Sequence, residues 1–175
     1  MIKMKPVQAF GAVALIWAGA IGGLWAHNEY QLTHGREIVL KTVPVDPRDM
    51  FRGEYVILNY DISRVSAVNG EGGIISDVDY FRRNQTAYAY LTEDAGVYKM
   101  TALKAKPPQS GLFLRGRIMN QDGGQVYRVE YGIESFFLPE GQGKVYEEAR
   151  NSNRLYAVLS VSPHGVAMLK RLEIR

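Results

Sequence analysis

The 175-residue chain contains no cysteine, so no disulfide can brace it and no thiol can serve as nucleophile or metal ligand. Histidine is nearly as scarce. His27, His34 and His164 are scattered along the chain and show none of the spacing that brings imidazoles together on a metal. Asp77-x-Asp79 and Asp46-x-x-Asp49 lack the ordered Asp/Asn/Gly/Glu frame of a calcium loop. No Gly-rich stretch precedes a helix in the manner of a phosphate cradle. Neither a metal nor a cofactor is therefore expected. A strong charge of one sign is also missing. All 18 acidic residues and all but two of the 21 Lys and Arg lie beyond residue 26, so that part is nearly neutral. This excludes an electrostatic nucleic-acid binder.

What is present is one long apolar run. Val7 to Ala26 are twenty uncharged residues behind a stub that carries Lys3 and Lys5. Twenty helical residues reach roughly 30 Å, the thickness of a bilayer's hydrocarbon core. The expectation is a cytoplasmic stub over 1–6, a transmembrane helix over 7–26, a juxtamembrane linker over 27–35 and an extracytoplasmic domain over 36–175. The basic stub keeps the N-terminus on the cytoplasmic side of the membrane. Ala18-Gly19-Ala20 offers the rival reading of a removable secretory signal. The run continues six residues past Ala20 and reaches Trp25, where an interfacial aromatic would lie, and both favour retention. Gly19 and Gly23 form a GxxxG pair, and Ala18 and Gly22 belong to a second small-residue row. Such rows let helices pack closely in lipid, although Gly and Ala are also simply common in membrane helices.

Beyond the run the dominant period is two. Arg36 to Val43, Glu54 to Tyr60, Thr86 to Thr92 with Val97 to Leu103, Leu112 to Met119 with Gln125 to Tyr131, and Leu155 to Ser162 with His164 to Ile174 read as strands and hairpins. Lys144 to Asn151 is one short helix. The fold class is mainly β: a single antiparallel domain resembling a barrel or sandwich, with that short helix. The tyrosines, eleven in all, suit ordinary sheet packing better than a stacking platform. A carbohydrate-binding module would need them aligned along a surface groove.

The block Gly53-Glu54-Tyr55-Val56-Ile57-Leu58-Asn59-Tyr60 resembles the signature of the GDYXXLXY family of bacterial membrane-anchored proteins, with Glu54 where the pattern has Asp. Asp46-Pro47-Arg48-Asp49 precedes it. Leu114-Arg115-Gly116-Arg117 and the stretch from Tyr131 to Gly143 resemble further blocks of the family. In the latter, Glu134, Phe137, Pro139, Glu140, Gly141 and Gly143 form a second motif. The resemblance implies no established activity. It does imply a membrane complex, because members are often encoded beside multi-spanning membrane proteins.

Read by themselves, Arg48, Asp49, Arg52 and Glu54 place two charges of each sign beside a proline turn. Ion pairs of this kind can tie a loop to a sheet, and near the surface each contributes little. The same loop, exposed and rigid, would equally serve for docking. The leading reading is thus a non-catalytic binding or assembly subunit, held in the bilayer through 7–26 beside an integral membrane partner. The alternative is an exported hydrolase or small-ligand-binding enzyme using Asp46, Asp49, Arg52 and Glu54. A signal-peptidase architecture is matched only in outline, because Pro44 stands where the nucleophilic serine would be.

Overall fold

The computed structural model describes residues 6–44, 55–66, 81–122, 126–138 and 141–175. One helix, α1 (Pro6–His34), is followed by a mainly β domain. From Phe10 to His34 the helix is long and apolar enough to cross a membrane, and none of that window is buried against the protein. The stretch over 27–34, expected as a linker, is helical. His27 and Gln31 are joined at 2.7 Å, Thr33 Oγ1 donates to the Glu29 carbonyl at 2.8 Å, and Tyr30 stacks on His34. These local contacts at i+4 spacing carry the helix through a polar sequence.

Among the described residues eleven strands follow: β1 (Arg36–Val43), β2 (Tyr55–Ile57), β3 (Asn59–Tyr60), β4 (Arg64–Ser66), β5 (Thr86–Asp94), β6 (Val97–Lys104), β7 (Leu112–Asp122), β8 (Val126–Glu130), β9 (Ser135–Phe137), β10 (Leu155–Val161) and β11 (Ala167–Ile174). A short helix α2 (Gly143–Asn151) precedes β10. One sheet runs β11-β10-β1-β3, a second β4-β8-β7-β5-β6, and β2-β9 form a small third. Among the described residues all the strand pairings are antiparallel, and together the sheets make a nearly closed, barrel-like β structure.

Three devices draw the two larger sheets together. β1 lies along β6, where Arg36 Nη2 donates to the Tyr98 hydroxyl at 3.1 Å and that hydroxyl donates to Glu93 Oε2 at 2.9 Å. The Arg115 amide donates to the Gly165 carbonyl at 2.7 Å, joining β7 to the turn between β10 and β11. A short 3-10 turn, Asp61–Ser63, carries the chain from β3 to β4.

Alternation fills the core. Ile38 and Leu40 of β1 and Leu155, Ala157 and Leu159 of β10 meet Ala87, Ala89, Leu103, Leu114 and Ile118 of the facing sheet. Thr42 takes the next inward position of β1, and its hydroxyl is satisfied by the Leu155 carbonyl at 2.7 Å. The hairpin β5–β6 turns on Ala95 and Gly96, both with positive φ (50° and 79°), the backbone a two-residue type I′ turn requires.

The single strand expected over Glu54 to Tyr60 is in fact two strands with different partners. β2 pairs with β9 and β3 pairs with β1. Between them the Leu58 amide donates to the Glu134 carbonyl at 2.8 Å. Alternation persists through this break, since Val56, Leu58 and Tyr60 are all buried.

Candidate functional site: the signature strand and the helix foot

The signature segment is held by its own tyrosine and by the turn after β8. The Tyr60 hydroxyl donates to the Ile133 carbonyl at 2.7 Å, and the Tyr131 hydroxyl donates to the Ile62 carbonyl at 2.9 Å. Each tyrosine thus bonds the backbone of the other's segment. Gly132 turns with φ of 81°, and Glu134 Oε1 accepts the Tyr131 amide at 2.6 Å. From α2, the buried Arg150 donates Nη1 to the Ile57 carbonyl at 3.3 Å.

Burial pushes the titration of both phenols far above the ordinary tyrosine range, and the Glu134 carboxylate adds to it. Both therefore remain protonated donors, committed to backbone carbonyls. This arrangement locks two segments of the chain together.

The Arg115-Gly116-Arg117 block has a steric cause. A Cβ on Gly116 would lie 2.6 Å from Val129 Cγ1 and 2.9 Å from two atoms of the Tyr131 ring. Glycine at this point lets Tyr131 lie flat across β7 and reach Ile62.

At the base of the domain, α1 runs straight into β1. The Gly35 amide donates to the Gln31 carbonyl at 3.1 Å, and the buried Ser160 hydroxyl of β10 donates to the same carbonyl at 2.6 Å. A Cβ on Gly35 would meet Ser160 Oγ at 2.1 Å, the Gln31 carbonyl at 2.8 Å and the Val161 amide at 3.0 Å. The last turn of the helix is thereby seated on the central strand of its sheet.

Of the residues singled out in the sequence, Leu58, Tyr60 and Glu134 come together in the tyrosine lock. Tyr55 is paired opposite Phe137 in the β2–β9 ladder, and Phe137 is largely exposed. Gly141, with φ of 84°, and Gly143 lead into α2. Ala18, Gly19, Gly22 and Gly23 lie on α1, exposed among the described residues. Asp46, Pro47, Arg48, Asp49, Arg52, Gly53, Glu54, Pro139 and Glu140 lie outside the described residues. Among the described residues no three His, Asp or Glu side chains are grouped as a metal site.

Residues 17–172 match the family model described as GDYXXLXY protein. The chain belongs to this family. The matched span includes the signature, Tyr60, Tyr131 and Gly35. No curated protein and no solved structure gives a match. The sequence did not point to Gly35, Ser160 or Arg150, because each acts through a contact with a distant segment. Only the small residue at the end of a helical run could have suggested Gly35.

Proposed function

We propose that this protein is a membrane-anchored, non-catalytic binding and assembly subunit. Its N-terminus lies inside the bacterial cytoplasmic membrane and its β domain outside. The observation that supports this reading most is the seating of α1 on β10 through Gly35 and Ser160. A tether that merely retained a domain at the membrane would need no such joint. A helix continuous with its domain holds the domain in a defined pose, as a subunit contacting a partner in and above the bilayer requires. The apolar surface of α1, including Phe10, Leu15, Ile16, Ile21 and Leu24, is exposed, and its Gly and Ala rows allow a partner helix to approach closely. Lys3 and Lys5 set the orientation.

The test is affinity purification of the full-length protein at native expression in mild detergent. A stoichiometric multi-spanning membrane protein should be recovered with it, and replacing Gly19 and Gly22 by Leu should reduce that recovery. Recovery of the protein alone would overturn the proposal.

A further inference from the structure

A concavity of about 230 Å³ lies where the sheet containing β1 and β3 meets the one containing β4 and β8. Its lining includes Asn59, Ser63, Arg64 and Arg128. Arg64 and Arg128 are direct cross-strand partners. Val65 and Tyr127, the next residues of each strand, are buried in the core, so alternation turns both arginines to the outer face. Side chains so placed stand about 5 Å apart at Cβ, and like charges there are destabilising. Among the described residues, no carboxylate pairs with either guanidinium. Glu130, two residues beyond Arg128, lines a separate cavity with Arg115 and Arg117.

The second observation is independent of the charges. Ser63 is 6% exposed, and its hydroxyl is buried with no hydrogen-bond partner among the described residues. Leaving such a donor unsatisfied is unfavourable. An anion seated between the guanidiniums would relieve their repulsion and accept from this hydroxyl and from the Asn59 amide.

We propose that this concavity is a binding site for a phosphate group. Two planar guanidiniums supply forked donors that match the oxygens of a phosphate better than a single carboxylate. The volume is below the roughly 300 Å³ at which pockets for drug-sized ligands begin, so the ligand is inorganic phosphate or a small phosphoester rather than a nucleotide. A soluble compound and a lipid headgroup present the same chemistry. The site lies at the far end of β1 from the helix joint, about 23 Å along the strand, which favours the soluble source.

Isothermal titration of inorganic phosphate into the full-length protein would test this, in a maltoside detergent that carries no phosphate and at constant ionic strength. Saturable binding is expected. Arg128→Gln and Arg64→Gln should each weaken it by about tenfold or more, and Ser63→Ala should weaken it by a smaller factor. Arg64 is exposed, so its replacement leaves the fold intact, and the circular dichroism of each variant should match the parent. Repeating the titration in phosphatidic acid nanodiscs separates the sources: suppressed phosphate binding assigns the site to a headgroup, and undiminished binding to a soluble ligand. Absence of saturable binding up to about 10 mM, or equal binding by the parent and the double arginine variant, would overturn the proposal.

Discussion

Replacing Gly35 by alanine probes the joint between helix and domain with a single methyl group. The new carbon would lie 2.1 Å from Ser160 Oγ, 2.8 Å from the Gln31 carbonyl and 3.0 Å from the Val161 amide. The first contact can be relieved by rotating Ser160, at the loss of its 2.6 Å bond to Gln31, about 1 kcal/mol. The other two involve backbone. Moving Gln31 strains the last turn of α1, and moving Val161 strains its pairing with Arg36. Overpacking of this kind costs about 1–3 kcal/mol, so the expected total is about 2–4 kcal/mol.

Urea unfolding of the full-length protein in detergent, followed by circular dichroism, measures the loss. The same substitution made in a Ser160→Ala background should cost about 1 kcal/mol less, because the hydroxyl and its bond are already gone. A Gly35→Ala variant within about 0.5 kcal/mol of its parent would refute the seated joint. Equal losses in the two backgrounds would refute the part assigned to Ser160.

Gly116→Ala should destabilise the domain by about 1–3 kcal/mol by pushing Tyr131 off its seat; an unchanged thermal midpoint would contradict the account given for the Arg-Gly-Arg block. Glu37 is held at a pKa of about 2, against an ordinary 4.5, first by its hydrogen bond to Arg171 and then by that to Lys170. Its folded value is depressed, so its contribution is present above about pH 4.5 and is lost as the pH falls toward about 2. Glu37→Gln should therefore be less stable than the parent at neutral pH, with the gap closing across that window in urea titrations.

The β architecture was legible because alternation is local. β1 spans Arg36–Val43, as its pattern predicts, and the strands of the hairpins β5–β6 and β7–β8 fall within a few residues of their expected bounds. The short strands β4 and β9 escaped, and so did two other features. The stretch from His27 to His34 is polar enough to read as a linker, yet its i+4 pairs keep it helical. Leu58 looks like any inward residue of a strand, and only the distant Glu134 carbonyl reveals that the chain changes partners there. The site was less legible still. Arg64 and Arg128 are 64 residues apart and become neighbours only through the β4–β8 register, while the Tyr60–Tyr131 lock joins side chains to carbonyls that carry no sequence signal. The signature itself was readable as a family mark, but the bond from its Tyr60 hydroxyl to the Ile133 carbonyl required the fold.

A helix that enters its domain without a flexible break also behaves as a lever. Bilayers thinner than the apolar span make such helices lean, with tilts of about 20° common. With the fulcrum at Gly35, a lean of that size sweeps a point 23 Å along the strand through an arc of about 8 Å. Membrane thickness would then set where the outer end of the barrel stands relative to any neighbour in the same bilayer.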